Sequence, residues 1–457
     1  MKEQAIEVRQ WVLKRMGGMS RTKVIALGFA LIILTGALLL MLPISSREGI
    51  VTNFWDCLFT ATSATCVTGL VVVDTYQHWT IFGQIVIILL IQIGGLGFVT
   101  FLTIFSMIAH RKIGLKERSL MSESVNAMQL GGIIKLTRKI LYGTLIVEGT
   151  GAMILWIRFI PDFGVIRGLY YGIFHAISAF CNAGFDLMGY ADPYISLCNY
   201  SGDWVVNLTI MSLIVIGGIG FIVWDDVTHH RLHFRKYRVH TKIVLVTTAA
   251  LIFGGALIFY LIERNYLLDG MEPGEAFLCS MFASITPRTA GFNSTDIATA
   301  REASKFLFII LMFIGGSPGS TAGGIKTTTF ALFVLYMKAN FQRAKGVHAF
   351  RRRLDEEAIK KASAIVCTNT FLVVTASMII CGTQGFDLAD VVLETVSAMS
   401  TVGMSSGITR GLSILSKVSL VCLMYAGRVG SLSVVLSVRD KKKVEPYTYP
   451  EEKLLIG

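Results

Sequence analysis

The chain is 457 residues long, 53% of them hydrophobic and 16% charged, with a mean hydropathy of +0.62. This composition excludes an ordinary soluble protein and indicates a lipid bilayer. The net charge of +12 would suit nucleic-acid binding, but Lys and Arg concentrate in 1–24, 107–139, 228–242, 338–361 and 439–457. These are alternate connections between apolar segments, the positive-inside pattern. We therefore expect a multi-pass protein of the cell membrane, with both termini cytoplasmic and no nucleic-acid partner.

The predicted elements recur as four units, each with a long apolar helix, a shorter segment ending in a turn, and a second long helix. Such long segments can cross about 30 Å of hydrocarbon. First helices are predicted at 24–42, 136–160, 242–262 and 360–381, and second helices at 82–106, 204–226, 306–337 and 416–438. The predicted repeats are 24–118, 136–235, 242–345 and 358–438, between a cytoplasmic N-terminus (1–23) and a cytoplasmic C-terminus (439–457).

The four short segments align without gaps on one glycine. They read SATCVTGL, SAFCNAGF, ITPRTAGF and SAMSTVGM, and the shared glycines are Gly69, Gly184, Gly291 and Gly403. A second set follows after 25, 33, 24 and 24 residues, at Gly94, Gly217, Gly315 and Gly427. A single glycine of this kind is usually a helix cap or a close helix contact. Four in register indicate a repeated functional turn.

About 12 apolar-rich residues precede each turn, too few to cross a bilayer. We expect re-entrant half-helices, for example at 53–65 and 169–180, because non-helical backbone at membrane depth must be packed in protein or line a watery cavity. Four copies around a shared axis supply such a cavity. The predicted fold class is an all-α polytopic membrane protein with four tandem helix, pore-loop, helix repeats around a pseudo-fourfold central pore, suited to a cation.

A short extended strand is predicted after each half-helix, with carbonyl oxygens that replace water around a dehydrated cation. Glycine suits its last position because it accepts backbone angles barred to other residues. The predicted filter residues are Val67, Thr68, Gly69, Asn182, Ala183, Gly184, Thr289, Ala290, Gly291, Thr401, Val402 and Gly403. Asp74, Asp186 and Asp296 follow the glycines, either to attract cations to the outer mouth or as ordinary turn residues.

The second helix of repeat 3 should be broken, because 32 residues from Phe306 to Met337 would form a helix of about 48 Å. The predicted break, a candidate gate in the ion path, consists of Gly315, Gly316, Ser317, Pro318, Gly319, Ser320, Thr321, Ala322, Gly323 and Gly324. The nearby sequence GSTAGGIKT resembles a phosphate-binding loop but misses that motif by one residue, and no β-strand is predicted before it.

Arg428 replaces a glycine, since the other repeats have Gly95, Gly218 and Gly316 at the aligned position. An arginine at bilayer depth needs water or a partner. We expect it to point to the axis, bond carbonyls of the 315–324 loop and limit passage. The alternative is an ion pair with a carboxylate such as Glu148. Lys326 is expected to stabilise the loop or to extend inward.

Cysteine and histidine spacing gives no sign of a metal site or an enzyme. The eight cysteines are scattered singly without a CxxC pair, and the eight histidines form no HExxH motif. We expect a non-enzymatic protein with no organic cofactor.

The four filter segments and GGSPGSTAGGIKTTT resemble those of the potassium transporter superfamily that comprises the bacterial Ktr and Trk membrane subunits, fungal Trk proteins and plant HKT proteins. The resemblance covers residues 24–438 and is closest to the Ktr membrane subunit, KtrB, since the additional N-terminal helix pair of Trk subunits is missing. It implies that the four glycines bind K+ through backbone carbonyls, that 315–324 is an intramembrane gate, and that Arg428 is the pore arginine.

The resemblance also implies a homodimer with one pore per protomer, on a cytoplasmic ring of nucleotide-binding regulatory subunits of the KtrA type. Sodium-permeable members of the superfamily have serine at the first filter glycine, so Gly69 implies potassium selectivity, and the use of Na+ stays open. Pro287 and Arg288 depart from the pattern, and Arg288 is expected to face away from the ion and brace the filter. The alternatives are a repeat-built secondary transporter for another cation or solute, and a membrane-bound enzyme that uses a nucleoside triphosphate.

Overall fold

The computed structural model describes residues 21–97, 132–190, 192–231, 233–344 and 346–431, together with 450 and 452. Most of the predicted terminal segments and of the basic connection 107–139 lie outside these residues. The described part is mainly α-helical, as predicted. Its one paired-strand element is a hairpin of His348–Ala349 with Arg352–Arg353.

The helices follow the predicted order of first helix, half-helix and second helix. First helices are Arg21–Leu40, the N-terminal part of Ile133–Phe180, Val239–Glu263 and Glu356–Thr383. Half-helices are Phe54–Cys66, the C-terminal part of Ile133–Phe180, Pro273–Ile285 and Leu388–Ser400. Second helices are Ile81–Leu96, Trp204–Gly218 with Phe221–His230, Glu302–Phe313 with Thr327–Phe341, and Ile414–Val429. The repeat boundaries given above stay predictions.

Three half-helices have 13 residues each, about 20 Å at the α-helical rise. That length reaches only part of the way through a bilayer. In repeat 2 the first helix and half-helix form one stretch, Ile133–Phe180, that bends at Gly164, where φ is 75° and ψ is 176°. The two arms then pack closely, because a Cβ atom built on Gly172 would lie 2.8 Å from the carbonyl oxygen of Ala152.

Fewer helices meet the requirements for a full span than the eight predicted. Four of the described helices are long and apolar enough to cross a membrane, and a fifth span results if Trp204–Gly218 and Phe221–His230, bent by 97°, are counted together. The second helix of repeat 3 is divided by a loop. Those of repeats 1 and 4 approach residues 98–131 and 432–449, which lie outside the described part.

Buried apolar side chains form two clusters. The first contains mostly residues of repeats 1 and 2 but includes Leu278 and Phe282 from the repeat 3 half-helix. The second contains mostly residues of repeats 3 and 4 but includes Phe59 and Leu70 from repeat 1. Each cluster therefore joins the two halves of the chain.

Polar contacts join the start of each second helix, or in repeat 2 the turn just before it, to the half-helix of the next repeat. The pairs are Gln84 with Tyr170 (2.9 Å), Ser201 with Glu275 (2.6 Å), Lys305 with Asp390 (3.4 Å) and Lys417 with Asp56 (2.6 Å). The last pair connects repeat 4 back to repeat 1. The repeats are therefore arranged in sequence order as a closed ring.

The second set of aligned glycines permits close packing between helices. A Cβ atom on Gly94, Gly217 or Gly427 would collide with the carbonyl group of Thr65, Phe180 or Met399, respectively. These three partners occupy the same position of their half-helices. Gly315 differs, because it packs against Gly323 and Gly324 of its own broken helix.

We predict that Gly217→Ala destabilises the protein, since the added methyl group would lie 3.0 Å from the carbonyl carbon of Phe180 and still closer to its oxygen. Overpacking of this kind costs about 1–3 kcal/mol, which thermal unfolding in detergent would show as a lower melting temperature. Gly254→Ala is the matched control, because no atom lies within 4 Å of a Cβ atom at Gly254. Equal melting temperatures for the two variants would contradict the packing argument.

Candidate ion pathway

The four aligned glycines form a closed ring. A Cβ atom built on Gly69 would lie 3.2 Å from the Cα of Gly184, and one on Gly184 would lie 3.0 Å from the Cα of Gly291. The series continues from Gly291 to Gly403 at 3.1 Å and from Gly403 back to Gly69 at 2.8 Å. A side chain at any of these positions would collide with the neighbouring strand, so the close approach requires glycine.

The predicted filter strands are not extended along their whole length, so the prediction of a short extended strand after each half-helix was wrong. The first residue of each strand is left-handed: φ is 58° at Val67, 59° at Asn182, 69° at Thr289 and 53° at Thr401. The glycine two residues later also has a positive φ, whereas the residue between them does not. Alternating the sign of φ turns successive carbonyls toward one side, while a regular β-strand points them alternately to opposite sides.

Carbonyl oxygens lie between neighbouring strands of the ring. The atom closest to a Cβ built on each filter glycine is the carbonyl oxygen of the residue before the next glycine. These oxygens belong to Thr68, Ala183, Ala290 and Val402. The side chains at the other eight filter positions are at most 1% exposed. The narrow point of the ring is therefore formed by backbone atoms.

Hydroxyl groups of the half-helices support the strands, a feature that the sequence interpretation missed. The amides of Gly69 and Gly403 each donate to a serine hydroxyl six residues earlier, Ser63 and Ser397, at 3.0 Å. In repeat 2 the equivalent Ser178 donates to the carbonyl of Phe185 at 2.7 Å. Repeat 3 has an isoleucine at this position, and Thr286, the next residue, donates to the carbonyl of Phe292 at 2.5 Å. The recurring Ser-Ala pair six residues before the glycine was the available signal.

The predicted break in the second helix of repeat 3 is confirmed. The helix ends at Phe313 and resumes at Thr327, and an isolated bridge pairs Ile314 with Ile325 at the base of the loop. The hydroxyl groups of Ser317 and Thr327 lie 2.9 Å apart across the same base. The ten residues 315–324 therefore form a compact loop.

The loop is held on one side by repeat 2. The amide of Ser317 donates to the carbonyl of Gly218 at 2.9 Å, and the amide of Phe221 donates to the carbonyl of Gly319 at 2.8 Å. A Cβ atom at Gly220, where φ is 97°, would lie 2.6 Å from the carbonyl oxygen of Pro318. The bend in the second helix of repeat 2 thus provides backbone partners for the loop.

The loop also contacts the inner end of the filter strands. The Thr321 hydroxyl lies 3.1 Å from the carbonyl oxygen of Phe180 and 3.0 Å from Oδ1 of Asn182. On the opposite side, a Cβ atom on Gly324 would lie 3.1 Å from the Cα of Ser400, and Gly323 packs against Thr401. The loop therefore lies directly against the strands of repeats 2 and 4. We call the side of the ring away from this loop the outer mouth.

Arg428 bonds backbone carbonyls, as predicted. Its guanidinium donates to Thr321 in the loop and to Gly94 and Gly95 of repeat 1, the last at 3.0 Å. In the described part of the chain it pairs with no carboxylate. Glu148, the partner in the alternative interpretation, instead accepts from Nε2 of Gln92 at 3.2 Å. Arg428 thus connects repeats 1, 3 and 4 beneath the ring.

Lys326 stabilises the loop from its C-terminal end. Its ammonium donates to the carbonyls of Ala322 at 2.8 Å and Gly323 at 3.3 Å. Two positive side chains, Lys326 and Arg428, therefore occupy backbone carbonyls on the loop side of the ring.

The sequence of this chain is similar to those of known cation transport proteins. A family profile described as TrkH, cation transport protein, matches residues 20–445. The chain belongs to this family. The TrkH-family chain is 40% identical to the "Potassium/sodium uptake protein NtpJ" of Enterococcus hirae over 98% of this chain and 99% of that protein. It is 41% identical to the "Ktr system potassium uptake protein B" of Bacillus subtilis over 95% and 96% of the two chains.

The same fold occurs in a solved structure. The potassium transporter TrkH from Vibrio parahaemolyticus superposes with a TM-score of 0.71 at 18% sequence identity, covering 92% of this chain and 86% of that one. The low identity limits this comparison to the fold. The TrkH-family chain therefore has the predicted all-α architecture of a polytopic membrane protein.

Arg288 of the TrkH-family chain points away from the ring. Its side chain is 5% exposed, and Nη2 lies 3.2 Å from the hydroxyl of Thr248 in the first helix of repeat 3. Its carbonyl accepts from Nδ2 of Asn182 at 3.3 Å, which links the strands of repeats 2 and 3. The expectation that Arg288 braces the filter strand is confirmed by these contacts.

The aspartates that follow the filter glycines bond nearby backbone, as turn residues do. Asp74 accepts from the amides of Tyr76 and Gln77 at 2.8 Å, Asp186 from Met188 at 2.9 Å, and Asp296 from Ala298 at 2.9 Å. Side-chain bonds of this kind shape turns and cap helices. The contacts favour the turn-residue alternative over an electrostatic role at the outer mouth.

Proposed function

We propose that the chain carries K+ into the cell through the glycine ring, as the membrane subunit of a Ktr-type uptake system. The observation that carries this proposal is the closed contact of Gly69, Gly184, Gly291 and Gly403 with a carbonyl oxygen between each neighbouring pair. The names of the full-length relatives, a Ktr potassium uptake protein and a potassium/sodium uptake protein, support the substrate.

Selectivity would come from the backbone of the twelve filter residues. A K+ ion that enters from the outer mouth exchanges water for carbonyl oxygens, and a ring that cannot close around a smaller ion leaves Na+ undercoordinated. The half-helices end at the ring, so the partial negative charge of their C-termini favours a cation there. Transport of this kind requires no enzymatic step and no organic cofactor.

The 315–324 loop would act as the gate. It contacts the inner ends of the strands, and the loop-side charges Arg428 and Lys326 are bonded to carbonyls that a passing ion would otherwise meet. Opening requires Thr321 to leave the carbonyl of Phe180 and the side chain of Asn182. The bound loop is then the closed state.

The assembly would be a homodimer in the cell membrane, one pore per protomer, with cytoplasmic termini and a ring of KtrA-type nucleotide-binding subunits on the inner face. The support is the Ktr name of the relatives and the basic connections, such as Arg351, Arg352 and Arg353. Such connections are expected on the cytoplasmic side. The support for Na+ as a second transported ion is the name of the Enterococcus relative, a potassium/sodium uptake protein.

The direct test is uptake of 86Rb+ into liposomes that contain the purified full chain. We expect uptake above that of protein-free liposomes, with competition by external K+ at concentrations where Na+ has little effect. A transporter for another solute would give no Rb+ uptake, and a cation pathway without K+ preference would be inhibited equally by both ions. Either outcome would overturn the proposed substrate.

We predict that Gly184→Ser lowers the preference for K+ over Na+ at least about fivefold, because carbonyl spacing sets discrimination. The backbone there has φ +68°, and a Cβ atom would lie 2.5 Å from the carbonyl oxygen of Ala290. The preference for K+ over Na+ is measured as the relative inhibition of 86Rb+ uptake by the two ions in the same liposome assay. Gly149→Ser is the control, since no atom lies within 4 Å of a Cβ at Gly149. An unchanged ratio for Gly184→Ser at normal protein amount would count against a filter at this ring.

We predict that Thr321→Val speeds Rb+ uptake about fivefold, the factor for one lost hydrogen bond of about 1 kcal/mol. Valine keeps the branched shape but cannot bond Phe180 or Asn182, so the closed loop is weakened. Thr321→Ser retains the hydroxyl and should keep the original rate. Slower uptake by Thr321→Val at equal protein incorporation would contradict the gate assignment.

A further inference from the structure

A segment of repeat 2 after the filter strand, residues 192–200, contacts repeats 1, 3 and 4, and we call it the outer strap. It lies between the second filter strand and the second helix of its repeat, which begins at Trp204. The distance from filter glycine to helix glycine is 33 residues here and 24 or 25 in the other repeats. The extra length of this connection provides the strap.

The strap is hydrogen-bonded to the residues of repeat 1 that follow its filter strand. The amide of Tyr194 donates to Oδ2 of Asp74 at 2.8 Å, and its hydroxyl donates to the carbonyl of Val72 at 3.4 Å. Val72 lies three residues after Gly69. Asp74 is 8% exposed, so the bond to the strap lies inside the protein.

The strap is fixed to repeat 3 in the same way. The amide of Leu197 donates to the carbonyl of Asn293 at 2.9 Å, and the amide of Asn293 donates to the hydroxyl of Ser196 at 3.1 Å. Asn293 lies two residues after Gly291. The strap therefore bonds both the carbonyl and the amide of Asn293, just beyond the third filter strand.

The strap also contacts repeat 4. The guanidinium of Arg410 stacks on the Tyr194 ring, 3.6 Å from its centre, at a distance typical of a cation–π contact. The adjacent Thr409 donates to Glu394 of the fourth half-helix. Tyr194 and Ser196 have positive φ angles of 65° and 52°, which non-glycine residues adopt only when surrounding contacts impose them.

We propose that the outer strap is a specificity determinant, which holds the outer ends of the filter strands of repeats 1, 3 and 4 at the spacing that favours K+. This inference rests on the proposed function of the ring. A ring of carbonyls discriminates against a smaller ion only if its strands resist moving inward. The strap supplies that resistance, because one continuous segment bonds Val72, Asp74 and Asn293, within five positions of the glycines of repeats 1 and 3. It also contacts Arg410, seven positions after the glycine of repeat 4.

The test is Asp74→Asn in the full chain, measured as competition of K+ and Na+ with 86Rb+ uptake in liposomes. An asparagine can keep its oxygen toward the amides of Tyr76 and Gln77, but its NH2 group then faces the amide of Tyr194, so the strap bond is lost. We expect the preference for K+ over Na+ to fall about fivefold, the factor for one lost hydrogen bond.

Asp296→Asn is the matched control, because Asp296 also follows its filter glycine by five residues and bonds the amide of Ala298. It removes the same charge from the outer mouth without a described bond to the strap. The strap proposal requires a change in Asp74→Asn well above that in Asp296→Asn. Equal changes would assign the effect to charge and overturn it, as would an unchanged ratio in both.

Ser196→Ala provides a second route if Asp74→Asn does not fold, since it removes the hydroxyl that accepts from the amide of Asn293 and that also bonds the carboxylate of Asp186. A lower K+ preference at normal melting temperature supports the strap, and an unchanged ratio rejects it. The wild-type chain separates this question from the proposed function. If it fails to take up Rb+ in competition with K+, the function itself is wrong, whereas a selective wild type with selective strap variants rejects the strap alone.

Discussion

Four peptide backbones meet so closely at one ring that no side chain fits between them. The surrounding elements hold the four strands in this contact. The built Cβ atoms of the four filter glycines lie 2.8–3.2 Å from the Cα of the next glycine. Half-helices must end there, hydroxyl groups must hold the strands, and the first residue of each strand must adopt a left-handed conformation. Hydrogen bonds and packing between neighbouring repeats stabilise that arrangement.

Among the departures from fourfold symmetry, one in each of repeats 2, 3 and 4 lies next to the ring. Repeat 3 breaks its second helix and places the loop against the strands of repeats 2 and 4. Repeat 4 replaces a glycine with Arg428, which bonds that loop and repeat 1. Repeat 2 lengthens the connection after its strand to form the outer strap. All four repeats thus contribute to the ring, while the loop, the arginine and the strap each belong to a single repeat.

The fold and the glycines that meet in the ring were predictable from the sequence because both depend on repeated local signals. Glycines in register located the turns, and the 32-residue apolar run with a glycine-rich centre located the broken helix. The left-handed conformation of Val67 and its counterparts was missed, since three of the four are valine or threonine, β-branched residues that adopt it only where tertiary contacts impose it. The strap was also missed, because its bonds join residues 95 to 122 positions apart, a separation that local patterns cannot show.

Transport through the glycine ring requires that an ion bind at its centre. The most direct measurement is a crystal structure of the full chain in a rubidium salt, with anomalous difference density collected at the rubidium absorption edge. We expect density at the centre of the ring, within coordination distance of the carbonyl oxygens of Thr68, Ala183, Ala290 and Val402. Rubidium bound elsewhere with the ring empty, or strands that diverge from a common axis, would contradict it.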